Sequence, residues 1–241
     1  MSAEQAEQTA TEQAAPEQAK PDYSAEKRIG LLAKKLGMAQ VFNEHGRVVA
    51  VTVLQAGPCA VTQVKKSDKD GYNAVQVGFE TAEAKWLSKP EQGQAKKAGG
   101  AYRYRREFRI NQAEPYSIGQ QLTVELFKEG ELVDITGTSI GKGFQGGVKR
   151  WHWKGGSATH GSMQHRAPGS IGSTTSPGRV VKGHHLPGHM GNHTVTVQNL
   201  RIMKIDTEGN RLLIQGAVPG PEDRLLIIKR SMKRPGYRLA P

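Results

Sequence analysis

Gly137-Thr138-Ser139-Ile140-Gly141-Lys142-Gly143-Phe144-Gln145-Gly146-Gly147-Val148-Lys149-Arg150-Trp151-His152-Trp153-Lys154 opens the stretch that decides how this chain is built. Carried through to His193, it holds 14 of the chain's 29 Gly and 7 of its 8 His, with seven Lys or Arg and no Asp or Glu. The acid-free window is wider still, from Ile135 to Ile205. No period of 3.6 or 2 is sustained, so neither an amphipathic helix nor a half-buried strand is predicted. A loop this long in a compact domain is functional or disordered. Trp151, Trp153, Phe144, Ile171, Leu186 and Met190 among the glycines argue against a disordered linker. Residues 137–193 therefore read as an irregular arm that becomes ordered against a polyanion.

On both sides of the arm the pattern is that of strands. Leu132 to Thr136 leads into it, and Thr194 to Asp206 resumes strict alternation after it. Thr207-Glu208-Gly209-Asn210 turns that strand into Arg211-Leu212-Leu213-Ile214, and Pro219-Gly220-Pro221 separates it from a last strand, Arg224 to Lys229. Upstream, strands are predicted at Arg47 to Gln55, Ala60 to Lys65, Tyr72 to Phe79 and Gln121 to Phe127. Asn43-Glu44-His45-Gly46 and Asp68-Lys69-Asp70-Gly71 read as turns, the second of hairpin type, and Gly57-Pro58 as a break. Ile29 to Phe42 mixes apolar residues with glycines and the basic pair Lys34-Lys35. Glu83 to Gly100 reads as short helix and loop. Tyr102-Arg103-Tyr104-Arg105-Arg106-Glu107-Phe108-Arg109 admits two readings: an RNA-facing strand whose rings and guanidinium planes stack on bases, or an amphipathic strand whose Arg stems cover apolar surface. Eight or more short strands at this spacing predict a sandwich or a barrel. The arm projects from that β-body, its two ends held by strands.

The chain has 241 residues and a formal net charge of +12. Residues 1–26 carry six acids and one base, net −5, which leaves +17 for the rest. So basic a body points to nucleic acid or an anionic surface. Residues 1–28 form an acidic N-terminal tail with few large apolar side chains; a disordered tail is expected, a lone surface helix being the alternative. The C-terminal residues 233–241 are a basic tail. The single Cys59 excludes an internal disulfide and a Cys-rich zinc site, and it opens an apolar run as a buried structural thiol. No run of 18 apolar residues predicts a membrane span, and the acidic start lacks the apolar segment of a signal peptide.

The arm's residues fit enzyme chemistry poorly. Gly141-Lys142-Gly143 resembles a phosphate loop only superficially: the spacing back to Gly137 is short, and Gly143 stands where a metal-coordinating hydroxyl belongs. His185, His189 and His193 recur every fourth residue, but Pro187, Gly188 and Gly191 oppose the helix that would align them. No carboxylate is near to orient an imidazole, which disfavours both a zinc site and a Ser-His-Asp arrangement. Distant acids such as Asp134 or Asp206 would have to fold back. Nucleic acid explains more. Lys142, Lys149, Arg150, Lys154, Arg166, Arg179 and Lys182 neutralise phosphates, and Trp151, Trp153 and the histidines offer flat surfaces to unpaired bases.

A family resemblance rests on Phe127, Asp134, Gly137, Ser139, Gly141-Lys142-Gly143, Gly146 and Arg150. It continues in Ala158-Thr159-His160-Gly161, His165-Arg166-Ala167-Pro168-Gly169-Ser170-Ile171-Gly172, Pro177-Gly178 and Gly188-His189-Met190-Gly191. The start, Ile29 to Phe42, and Gly216-Ala217-Val218-Pro219-Gly220 match too. These residues resemble the ribosomal protein L three family of the large ribosomal subunit, in its bacterial form, over nearly all of 29–234. The resemblance implies a mainly β fold: a closed six-stranded, translation-factor-like β-barrel with an α+β insert and a long irregular extension. The body would be 29–136 with 194–232, the insert near 80–120. It implies a structural, non-catalytic protein of the cytoplasmic ribosome that binds ribosomal RNA directly, acts early in subunit assembly and sends its arm toward the peptidyl transferase centre, Gly169 to Gly178 at the tip. Neighbours would be ribosomal proteins of the L fourteen and L nineteen families; no cofactor, metal or membrane is implied. The candidate rRNA-binding residues are Lys34, Lys35, Lys142, Lys149, Arg150, Trp151, Trp153, Lys154, His160, His165, Arg166, Ser173, Thr174, Arg179, Lys182, His184 and His185. Some bacterial members carry a methylated glutamine where this chain has Thr175, so that modification is not expected here. The alternative kept open is a metal- or His-dependent RNA-processing enzyme.

Overall fold

A computed structural model describes residues 29–43, 45–111 and 115–233. The acidic tail expected over 1–28, and all but the first residue of the basic tail expected over 233–241, lie outside them. Six strands form a ring. They are β1 (Gly30–Phe42), β2 (Val48–Ala56), β7 (Leu132–Thr138), β10 (Thr194–Asp206), β11 (Arg211–Gln215) and β12 (Leu225–Arg230). Each hydrogen-bonds two neighbours in the order β1-β12-β7-β10-β11-β2, and β2 returns to β1, which closes the barrel. All six pairings are antiparallel. Closure leaves the ring no open edge.

β1 is a strand that hydrophobic periodicity does not reveal. Ile29, Leu31, Leu32 and Ala33 are all fully buried. A half-buried strand alternates; one covered on both faces reads as a continuous apolar run. Besides pairing within the ring, β1 packs against a second, four-stranded sheet. Its strands are β3 (Cys59–Lys65), β4 (Ala74–Thr81), β5 (Tyr102–Arg109) and the short β6 (Gln121–Leu122), in the order β5-β4-β3-β6. Barrel residues such as Ile135 and Leu226 and sheet residues such as Val75 and Phe108 belong to one apolar cluster. The stretch near 80–120 therefore supplies only part of this sheet; β3 and β4 begin ahead of it.

Two predicted elements differ in detail. Gln121 to Phe127 is not a single strand: pairing with β3 stops after Leu122, and a 3₁₀ turn follows at Val124–Leu126. Val124, Leu126 and Phe127 are nonetheless buried, so the alternation reported burial correctly and strand geometry wrongly. Asp68-Lys69-Asp70-Gly71 does lie in the connection of a hairpin, since the strands on either side pair antiparallel up to Lys65↔Ala74, but its local form is the end of a helical turn, α1 (Ser67–Asp70), closed by Gly71 at φ 79°. The helix expected within Glu83 to Gly100 is α2 (Lys89–Ala98), opened by a capping box between Ser88 and Glu91.

Cys59 sits where the two sheets meet, fully buried, its thiol donating to the Leu32 carbonyl at 3.4 Å. Burial pushes the thiol up from its ordinary 9.0 to about 12. Two results are expected. A thiol reagent at pH 8 labels Cys59 only in denaturant; rapid labelling of native protein would contradict the burial. The unfolded thiol also ionises at lower pH than the folded one, so the folded state holds the extra proton and Cys59 subtracts stability as pH rises from about 9 toward 12. Replacement by Ala should flatten that loss in a denaturation series.

Candidate nucleic-acid interface

The arm is aimed by the barrel. β7 and β10 pair from Leu132↔Arg201 out to Thr138↔Thr194. Pairing continues past the ring: Ser139 N–H donates to the His193 carbonyl at 2.9 Å, and Lys142 N–H to that of Met190 at 2.9 Å. A two-stranded ribbon, β8 (Gly143–Gln145) with β9 (Gly188–Met190), extends this stalk. Gly191 makes the crossing possible. Its φ is +76°, and a Cβ there would lie 2.0 Å from the Ile140 carbonyl oxygen.

Beyond the stalk, one helical turn, α3 (Gly147–Trp151), ends at His152 in the left-handed conformation. The opposite limb of the arm is clamped to it. Arg150 Nη1 and Trp151 Nε1 each donate to the Leu186 carbonyl at 2.8 Å. The His185 ring stacks on the Trp151 indole with centroids 4.0 Å apart and planes 1° from parallel. The Arg150 guanidinium lies 4.8 Å from the Trp151 ring centroid. Trp153 packs against Gly147 so closely that a Cβ there would stand 2.2 Å from the ring. Farther out, Gly156 N–H donates to the His165 carbonyl at 3.1 Å, and His165 Nδ1 lies 2.8 Å from the Ser157 carbonyl, which makes it the donor nitrogen.

This is a shaped structure with no core of its own. Between Ile135 and Ile202 no hydrophobic residue is buried, while Phe144 is 77% exposed and Met163 96% exposed. Ile140, Ile171, Val180 and Val181 also stand exposed along the arm. Exposed apolar surface rimmed by polar residues marks a surface that another molecule covers. Lys142, Lys149, Arg150, Lys154, Arg166, Arg179 and Lys182 all lie on the arm, and none forms an ion pair among the described residues. His160, Ser173, Thr174 and His184 are exposed on its outer part. Asp134 and Asp206, which bound the acid-free window, stay in the body: Asp134 accepts from Asn199 N–H at 2.9 Å and Asp206 from Gly209 N–H at 3.1 Å.

Two candidates sit apart from this group, on β1. Lys34 lies 3.2 Å from Asp223 and 3.8 Å from Glu80, and Lys35 Nζ donates to the Gly220 carbonyl at 3.2 Å. The three histidines spaced by four do not align. His185 lies on Trp151, and His189, on β9, meets His193 edge-on at 6.0 Å. Periodicity gives no sign of the Leu186 carbonyl as the acceptor that joins the limbs, because that contact pairs residues distant in sequence.

A family model described as Ribosomal protein L3 matches residues 95–211. Large ribosomal subunit protein uL3 of Geobacter sulfurreducens is 51% identical over 205 residues, covering 85% of this chain and 98% of that protein. The uL3 protein of Gloeobacter violaceus is 55% identical over 202 residues, covering 83% and 94%. That of Heliobacterium modesticaldum is 51% identical over 205 residues, covering 85% and 97%.

Proposed function

Because the chain belongs to the ribosomal protein L3 family, we propose that it binds large-subunit ribosomal RNA directly and does so chiefly through the arm. As a family member it is a structural constituent of the large ribosomal subunit, ribosome-associated and cytoplasmic, and not an enzyme. The observation that carries the RNA reading is the arm's combination of unpaired cations, exposed rings and no carboxylate. Such a surface gains by releasing counterions from phosphates and by stacking on bases, and it has no acid to repel the backbone. Glycine lets the chain follow a folded RNA closely.

The finer reading comes from what the family resemblance implies. On that resemblance, Gly169 to Gly178 reaches into the RNA toward the peptidyl transferase centre and buttresses it, at the end of an arm whose root the stalk holds. The ring of six strands corresponds to the barrel of translation factors and stays outside, against ribosomal proteins of the L fourteen and L nineteen families. A protein with so long an RNA-ordered segment binds early in assembly, while the RNA is still open to entry. The RNA-processing alternative finds no support in the arm's composition, where no carboxylate stands beside a histidine.

The test is binding of the purified protein to large-subunit rRNA fragments over a salt series. Log affinity should fall steeply and linearly with log salt. A flat line would overturn the reading.

A further inference from the structure

The basic-aromatic strand β5 resolves into two faces. On one, Arg103 and Arg105 are matched by acids, while Arg109 lies over the Tyr72 ring at 5.2 Å. Arg105 is paired with Glu91, Arg103 Nη1 lies 3.6 Å from Glu80, and Glu107 lies 2.7 Å from Lys65 Nζ. This is the amphipathic-strand reading. The other face carries Tyr104, Arg106 and the buried Phe108. There Tyr104 and Arg106 border a cleft of about 290 Å³ between the second sheet and the barrel. Its far side is the root of the arm: Thr136 and Thr138 of β7, Thr194 of β10, and Arg224 just ahead of β12.

We infer that this cleft is a second RNA site, a seat for one or two phosphodiesters where the arm leaves the body. It is lined by two arginines, a tyrosine and the threonines Thr138 and Thr194, with Thr136 beside them bonded through its hydroxyl to Thr196 at 2.8 Å, and no carboxylate lines it. Arg106 and Arg224 are exposed, and neither has a carboxylate partner among the described residues. The nearest acids in sequence are occupied or turned elsewhere: Asp223 faces Lys34 at 3.2 Å, and the Glu222 carboxylate stands beside Gly37. Arg106 Nη1 donates to the Arg105 carbonyl at 2.8 Å, which holds the guanidinium in place and leaves its other donors free. Forked guanidinium donors with hydroxyls around them suit phosphate oxygens and the ribose 2′-hydroxyl. Thr138 and Thr194 are register partners at the foot of the stalk, so a strand of RNA running down the arm reaches the cleft without a break.

This site rests on the arm's reading as an RNA interface, and the experiment separates the two. Affinity for large-subunit rRNA fragments is measured over a salt series for the wild type, for R106Q/R224Q and for R103Q/R105Q. Each lost phosphate contact lowers the slope of log affinity against log salt by about 1. R106Q/R224Q should therefore lose about 2 units of slope, while its thermal melt stays at the wild-type value because both side chains are exposed. R103Q/R105Q should lose well under half as much, its cations being already matched. A steep wild-type slope that R106Q/R224Q leaves unchanged overturns the cleft and spares the arm, as does an equal loss in both double variants. A flat wild-type slope overturns both.

Discussion

Excising residues 147–187 and joining Gly146 to Gly188 through a short Gly-Ser turn leaves a folded body that has lost most of its affinity for rRNA. The excision is structurally cheap because Gln145 and Gly188 are cross-strand partners in the ribbon. A loop of two to five residues closes such a hairpin. No buried hydrophobic residue is removed, since none lies between Ile135 and Ile202. The thermal midpoint of the body should therefore shift little. Binding should change greatly. Lys149, Arg150, Lys154, Arg166, Arg179 and Lys182 go together, and at roughly 0.7–0.9 per phosphate contact the salt slope falls by about 4–5. Affinity at moderate salt falls by two orders of magnitude or more on the same arithmetic. The exposed rings of His152, His160, His165 and His184 go too, and any stacking they make on bases, which deepens the drop without altering the slope. Retention of the slope to within about 1 unit would show that the body, and not the arm, carries the RNA contacts.

The arm is legible in the linear sequence for the same reason that it can be excised: it contributes nothing to the core. It is defined by what it lacks, and a 71-residue window without acid is visible in a string of letters. The same holds for β10, whose bounds, Thr194–Asp206, follow from alternation alone. Ring closure is not legible in this way. Strands of a sandwich and of a barrel alternate alike, and the decision lies in the pairing of β1 with β12, where Gly30 meets Lys229 across almost the whole chain. β1 is hidden further because its apolar run is covered on both faces. Gln121 to Phe127 misleads for the opposite reason: alternate burial is also satisfied by a two-residue bridge followed by a 3₁₀ turn. At the site, charge and ring content can be read from composition. The clamp of Arg150 and Trp151 on Leu186 cannot, nor can the division of β5 into a face paired with acids and a face open toward Arg224. Both depend on which distant segment lies opposite.

The second large effect falls on the joint between barrel and sheet. Phe108→Ala should cost about 3–5 kcal/mol of stability, read as a drop in the denaturant midpoint. Phe108 is fully buried on β5, and its ring lies over the start of β1, where a Cβ on Gly30 would come within 2.8 Å of it. Lys229 of β12 caps the same ring, with Nζ 5.5 Å from its centroid. Removing the ring opens a cavity between two sheets that β-pairing holds in place, so collapse cannot fill it. Gly30→Ala attacks the joint from the other side. The added methyl would meet the Ile228 backbone oxygen at 2.0 Å, on the strand that closes the ring. Backbone cannot rotate aside as a side chain can, so overpacking here should exceed the usual cost of roughly 1–3 kcal/mol. The pair also discriminates. Were the cost of Gly30→Ala set by the Phe108 ring, adding Phe108→Leu would recover stability. Because the carbonyl of Ile228 sets it, the double variant should remain at least as unstable as Gly30→Ala alone. Recovery on shrinking Phe108 would mean that the β1–β12 closure yields more readily than its register implies.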